Sequence, residues 1–325
     1  MYKNSGRFLS RIAGATAVAA LLSAGPAAAA WPEKPVTVIV PFGAGGTTDI
    51  TARTFQKAIS DNNLSPQPFT VLNVTGGTSG SVGATRAATA RPDGYTFLLM
   101  HIALMSGEAS GKSQVSYRQF DPVAGTTNAC MVSVVPTDSP FKTYKQLMDE
   151  SKANPDTITF GTNLGAVFHM TTLTMENGNP GSKFRLVQVG GESKSISAMK
   201  GGHTQVGLLS AGTFLRYKDE GFRALAMLAP ERQPRLEDVA TAKEQGYDAS
   251  FCIEHWWLAP KGTPQEAIDG MAAITKKVLE TDYAKKVFLE DRGTALTFDS
   301  GPGFAKKLDA TFEWISPLAK SASQK

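Results

Sequence analysis

The run Val36–Val40 (VTVIV) is unbroken and mostly β-branched, and it gives way at once to Pro41-Phe42-Gly43-Ala44-Gly45-Gly46-Thr47-Thr48-Asp49. Such a run, with no polar alternation, reads as a strand buried on both faces. A chain that opens this way must cover both sides of a sheet, and the helical spacing of Ile50, Phe55 and Ile59 supplies the first cover. The arrangement recurs. Residues 69–74 read as a strand, 75–80 as a small-residue loop, 82–90 as a helix and 95–100 as a strand, followed by a loop over 101–111. A second series begins with a strand at 131–135 and a helix at 144–153. It continues with strands at 157–160, 184–189, 206–209 and 223–228, and helices at 167–176 and 195–200. Strands alternating with short helices predict an α/β protein with two mainly parallel sheets. Right-handed crossovers then gather the strand-to-helix loops at one edge of each sheet. No low-complexity linker divides the two series, so the chain is expected to cross between them along strands. The tail, 264–319, reads as mostly helical and is divided at Gly301-Pro302-Gly303.

The first thirty residues have a different character. Lys3, Arg7 and Arg11 precede an apolar stretch over 12–22, and small residues lead to Ala28 and Ala30. This is the pattern of a secretory signal peptide cleaved before Trp31. Its apolar part is shorter than the ~20 residues a membrane span needs. The expected compartment is the bacterial periplasm. Removing the segment takes three basic residues and no acid from totals of 33 and 29, so the formal charge of +4 falls to +1. A near-neutral chain argues against nucleic acid as a partner. Two cysteines are too few for a disulfide-built scaffold or a four-cysteine zinc site.

Four loops share one design, a strand followed by Gly, Ser and Thr and then a helix start: 42–48, 75–81, 161–165 and 190–193. The first turn of a helix leaves N–H groups unpaired at the positive end of its dipole, and glycine lets a ligand approach the backbone. Loops of this kind from both series facing one crevice suit an anion held by main-chain amides. Nucleotide motifs fail: Thr48 stands where a dinucleotide fingerprint needs its third glycine. The stretch Gly107-Glu108-Ala109-Ser110-Gly111-Lys112-Ser113 has one residue too few for a phosphate loop and reads as a surface loop. No metal motif, cofactor motif or catalytic constellation stands out, and His101, His169, His203 and His255 are scattered. Asp49 reads as a helix cap, and His169 as a structural hydrogen-bonding residue.

The segment Trp31-Pro32-Glu33-Lys34-Pro35-Val36, then Val40 to Asp49 and Arg53, resembles the opening of the Bug-type periplasmic receptors of tripartite tricarboxylate transporters. Matches continue along nearly the whole chain from Trp31. They include Gly80, Gly83 and Ala84 before Arg91-Pro92-Asp93-Gly94-Tyr95-Thr96, then Ser139-Pro140-Phe141-Lys142-Thr143 and the 161–169 loop and helix. Further on come Arg223-Ala224-Leu225-Ala226, Glu244-Gln245-Gly246-Tyr247 and Trp256-Trp257-Leu258-Ala259-Pro260-Lys261-Gly262-Thr263-Pro264.

The resemblance implies a two-lobed, type II-like periplasmic-binding-protein fold with two hinge crossings and a cleft. Residues 31–134 and 255–325 would form the first lobe and 135–254 the second, with crossings near 134–136 and 254–258. It implies a monomeric receptor, not an enzyme and without a cofactor. Hinge closure would capture a small carboxylate (a di- or tricarboxylate, an aromatic acid or an acidic amino acid) for delivery to membrane transporter subunits. The implied ligand residues are Phe42, Gly43, Ala44, Gly45, Gly46 and Thr47 on one loop and Gly76, Gly77, Thr78, Ser79, Gly80 and Ser81 on another. His101 joins them from the first lobe, and Thr162 and Asn163 from the second. Gln205 stands where the family often has aspartate, Ser210-Ala211-Gly212 replaces a segment that often holds another acid, and His101 replaces a small hydroxyl residue. Fewer acids near the cleft would favour a more anionic or more aromatic ligand. In this fold Cys130 and Cys252 lie beside neighbouring crossings, so a disulfide and two free thiols both remain open. The rival readings are a receptor of the same fold that signals to a sensor kinase, and a secreted hydrolase using Ser79 or another nucleophile.

Overall fold

The computed structural model describes residue 1, residues 31–190 and residues 192–323, and the expected signal segment, apart from Met1, lies outside them. The chain runs β1 (Val36–Val40), α1 (Thr47–Asp61), β2 (Phe69–Asn73), α2 (Ser81–Ala88), β3 (Thr96–Met100), α3 (Ala103–Ala109) and β4 (Phe120–Pro136). It continues through α4 (Tyr144–Ala153), β5 (Thr159–Thr162), α5 (Val167–Asn177), β6 (Arg185–Gln188), α6 (Glu192–Lys200), β7 (Gly207–Ser210), α7 (Ala211–Tyr217) and β8 (Phe222–Leu228). It ends with β9 (Cys252–Pro260), α8 (Gln265–Glu280), α9 (Asp282–Lys285), β10 (Ala295–Ser300) and α10 (Gly301–Ser323).

Parallel pairing joins β1 to β2 and β3, and β5 to β6, as strand–helix alternation predicts. The two long strands add a different pattern. β4 pairs antiparallel with β7, β8, β9 and β10, and β9 pairs antiparallel with β3, so the sheets are mixed. Only residues 131–135 of the seventeen in β4 stand out in the sequence, because Asp121, Pro122, Gly125 and Asn128 interrupt the apolar pattern before them. Register shifts within residues 122–127 let the strand absorb those positions and bend.

β4 is where the two halves of the molecule meet. Phe120 to Cys130 pair with β9, and from Met131 onward the partners are β7 and β8. The exchange of strand partners therefore falls between Cys130 and Met131. Cys130 and Cys252 face each other as the last pair of the β4–β9 ladder and are joined by a disulfide with an S–S distance of 2.01 Å.

Period-two alternation gives each sheet two apolar faces. Val36, Val38, Val40, Phe97, Leu99 and Trp257 pack on one side of the first sheet, and Ile39, Leu98, Met100 and Trp256 on the other. The adjacent tryptophans are therefore both core residues on opposite faces, each with its indole N–H satisfied. Trp256 donates to Glu254 Oε2 at 2.9 Å and Trp257 to Thr126 Oγ1 at 3.2 Å. Burying the smaller apolar side chains around them, such as Leu98, Leu99 and Phe97, contributes about 1.5–3 kcal/mol each. In the second sheet Met131 and Val135 face one cluster, while Val132 and Val134 face another.

Two segments differ from their sequence reading. The loop expected over 101–111 contains α3, whose residues Ala103–Gly107 are buried, and the tail contributes β10, whose Leu296 and Phe298 pack against the first core. Both are short, and neither has enough residues to display a period.

Candidate functional site

A cleft of about 610 Å³ opens between the loops that follow β1, β2 and β3 on one side and the loop between β5 and α5 on the other. Its first wall is Pro41-Phe42-Gly43, and its floor is the 75–80 loop, which is held in an unusual conformation. Gly76, Gly77 and Gly80 have φ of 122°, 68° and 75°, and Ser79 also sits at a left-handed φ of 58°. Three glycines make that backbone accessible where side chains would be strained. The turn that results turns the chain directly into α2, whose N-cap is Gly80 and has no side-chain cap.

Across the cleft, α5 starts after Ala166, again without a side-chain cap. Elsewhere Thr143, Ser210 and Thr281 cap α4, α7 and α9 through their hydroxyls, although α8 begins uncapped at Pro264. At α2 the first N–H groups go to backbone, Ser81 donating to Thr78 O and Val82 to Gly76 O at 3.2 Å, and at α3 Ala103 donates to His101 Nδ1, whereas α5 starts beside the cleft with no side-chain cap.

The loops after β1 and β5 are built alike. Gly45 (φ 78°) donates its N–H to Asp49 Oδ2 at 2.8 Å, and Gly165 (φ 74°) donates to His169 Nδ1 at 3.1 Å. In each, a left-handed glycine is tied to a side chain four residues later in the new helix. Asp49 is buried and also receives Arg53 Nε at 3.0 Å and Asn73 Nδ2 at 2.9 Å, while Asn73 reaches Phe42 O at 3.0 Å. Burial opposes the charge on Asp49, but the Arg53, Gly45 and Asn73 hydrogen bonds outweigh it and hold the carboxyl below its ordinary range. Asp49 and His169 thus shape the loops from within.

His101 closes the back of the cleft. It stacks on Phe42, accepts the Ala103 N–H on Nδ1 at 3.2 Å, and meets the His255 ring edge-on at 6.0 Å. Burial pushes the His101 pKa down to about 4, and burial and the neighbouring His101 and Arg292 push that of His255 well below its usual value. At neutral pH both rings are uncharged.

Of the residues expected to touch a ligand, Phe42, Gly43, Gly76, Gly77, Thr78, Ser79, Gly80, His101 and Asn163 line this cleft together. Gly45, Gly46 and Thr47 line a second cavity on the other side of the same loop. Ala44, Ser81 and Thr162 line neither. Ala44 is exposed at the loop tip, Ser81 begins α2, and Thr162 is fully buried at the end of β5. Asn163 is oriented by Gln188, whose Nε2 donates to Asn163 Oδ1 at 3.0 Å and whose Oε1 accepts the Leu164 N–H at 2.6 Å. Gln205 is remote from the cleft: its Oε1 accepts the Thr159 N–H at 2.9 Å, at the opposite end of β5 from Thr162. Its replacement of an acid therefore does not alter the cleft charge.

Sequence reasoning missed Lys112, which lines the cleft and comes close to Gly165 on the opposite side. Its signal was the failed phosphate-loop pattern, dismissed on spacing as surface. Among the described residues lining the cleft there is no carboxylate, so Lys112 gives it a net positive character.

Residues 51–301 match the family model described as tripartite tricarboxylate transporter family receptor. Among curated relatives, the UPF0065 protein in the gbd 5' region of Cupriavidus necator is 30% identical over 84% of each chain. The protein BugT of Bordetella pertussis is 27% identical over 84% of this chain and 86% of its own. Among solved structures, a TctC solute-binding protein from Polaromonas superposes with a TM-score of 0.77 at 24% identity, covering 90% of this chain and 99% of that one. Two Rhodopseudomonas palustris proteins share the fold at 23% identity. MatC with bound malate has a TM-score of 0.73 over 89% of this chain and 100% of its own, and Rpa4515 with adipate 0.76 over 90% and 98%.

Proposed function

This chain belongs to the tripartite tricarboxylate transporter receptor family, and from that premise we propose that it is an exported periplasmic receptor that captures a small carboxylate without altering it and delivers it to the membrane subunits of such a transporter. The observation that carries the ligand class is the cleft itself, which among the described residues has no acid in its lining, contains Lys112 and is bordered by the glycine-rich 75–80 loop and the uncapped start of α5. A carboxylate supplies acceptors for the Lys112 ammonium and for main-chain amides at the α5 start. The malate and adipate held by two proteins of the same fold agree with this chemistry.

Loops from both sides of the cleft would engage one ligand, so binding favours the closed arrangement of the two halves and shifts the population toward it. Export and cleavage before Trp31 belong to the same reading, as do the monomeric state and the grip of Phe42, Gly43 and residues 76–80 on the ligand.

Thermal unfolding against a panel of carboxylates, with malate and adipate as first probes, tests the proposal. A cognate acid at about a hundred times its Kd adds about 2.7 kcal/mol of stability. Gly77→Val should abolish that shift while leaving a cooperative unfolding transition, and Lys112→Gln should weaken it. A panel in which no acid shifts the transition, or a shift that survives both substitutions, overturns the assignment.

A further inference from the structure

The second cavity, about 440 Å³, is a concentration of positive charge. Lys194 on α6, Arg216 on α7 and Arg292 just before β10 all line it, and Glu192 is its single acid among the described residues. Both Glu192 oxygens are committed. Oε1 accepts the Ser210 N–H, and Oε2 accepts the Thr213 hydroxyl at 2.7 Å. Among the described residues, none of the three cations has a carboxylate within ion-pairing distance, and Arg216 donates to Thr213 Oγ1 at 3.3 Å. Arg292 is half-buried, and its neighbours in the cavity are another guanidinium and a carboxylate already spoken for. Burial and the proximity of Arg216 disfavour its charge, and Glu192 offsets them only in part. A guanidinium stays protonated under such pressure, so the arrangement costs free energy unless an anion joins it.

The roof of the cavity is Gly45, Gly46 and Thr47, the start of the fifteen-residue α1, with no side-chain cap. We propose that this cavity is a second anion site, separate from the carboxylate cleft, that takes a small tetrahedral oxyanion of the sulfate or phosphate type. Three cations against one carboxylate leave a net charge near +2, which a dianion neutralises. Two guanidinium forks and an amine also present more donors than the two oxygens of a carboxylate accept, whereas four tetrahedral oxygens accommodate them. Arg216 rides on a helix packed against β7, and Arg292 adjoins the strand that pairs with the other half of β4, so the anion would tie the two sheets together on this flank.

The test is thermal unfolding in chloride buffer titrated with sodium sulfate or phosphate at constant ionic strength. The wild-type transition rises and saturates. Arg216→Gln and Arg292→Gln each need about tenfold more anion for the same rise, whereas Gly77→Val responds as wild type does. Without sulfate or phosphate, Arg292→Gln is at least as stable as wild type because a like-charge contact is gone, which separates a lost site from a damaged fold. Arg292→Gln also keeps its response to a cleft carboxylate, so this proposal and the receptor assignment fail independently. A wild-type rise that never saturates, or one unchanged in both arginine variants, overturns the proposal.

Discussion

The imidazole of His101 lies face to face with the ring of Phe42, 4.8 Å between centroids and 11° from parallel, so the back wall of the cleft is a neutral aromatic pair. Protonating His101 would place a charge in that buried stack. Its pKa is about 4 in the folded protein against 6.5 when exposed, so the unfolded chain binds the proton more readily. The stability tied to a neutral His101 is complete above pH 6.5 and is lost progressively as pH falls toward 4, at no more than about 1.4 kcal/mol per pH unit. Urea midpoints at pH 7.5 and pH 5 should show the decline, and His101→Gln should make it shallower, with the buried His255 accounting for part of the remainder. An unchanged slope in that variant would remove His101 from the account.

Asp49→Ala should destabilise the protein by about 2–3 kcal/mol, because charge-assisted bonds to Arg53 and the Gly45 N–H disappear together. Since its carboxyl pKa is depressed, this contribution is present above the ordinary carboxylate range and is lost only as pH drops through the lower value. Denaturant unfolding at pH 7 measures it. The loop at 42–47 should also lose order, read as faster amide exchange at Gly43 and Gly45.

Reducing Cys130–Cys252, or replacing both with alanine, releases a closed loop spanning 122 positions. The chain-entropy model puts that at about 4–5 kcal/mol, and measured values for native bridges run from about 2 to 5. Equilibrium unfolding with and without reductant gives the difference. A free-thiol titration of denatured, unreduced protein should find none.

Gly83→Ala should cost about 1–3 kcal/mol. An added Cβ would come within 2.5 Å of Val74 O, 2.7 Å of Pro41 Cβ and 2.8 Å of Pro41 Cα, and backbone on two sides leaves it nowhere to go. Because α2 follows directly on the 75–80 loop that floors the cleft, pushing it off β1 should weaken carboxylate binding as well. A binding isotherm alongside the melt separates the two effects.

How far the sequence reached can be judged residue by residue. VTVIV and its glycine loop announce a buried strand and an open helix start, and the structure places both where the pattern puts them. The family was legible because its motifs are local and ordered. The full length of β4 was not, since its polar positions are accommodated by bulges and cross-strand partners that no local period records. The same holds for Lys112, Gln188, Arg216 and Arg292. Each acquires its setting from a segment distant in the chain, and a lone basic or amide side chain carries no periodic signature.

The seventeen-residue β4 also bears on the order in which the molecule can be assembled during synthesis. A nascent chain emerging as far as residue 240 already holds β4, β7 and β8, enough to pair one sheet. Its β1–β2–β3 ribbon still has no hydrogen-bonded link to β4, because β9 is the strand that lies between them. Until the final quarter is made, the wall that carries Phe42, Gly77 and His101 stays detached from the rest, so a truncated product would lack a cleft even with every cleft residue in place.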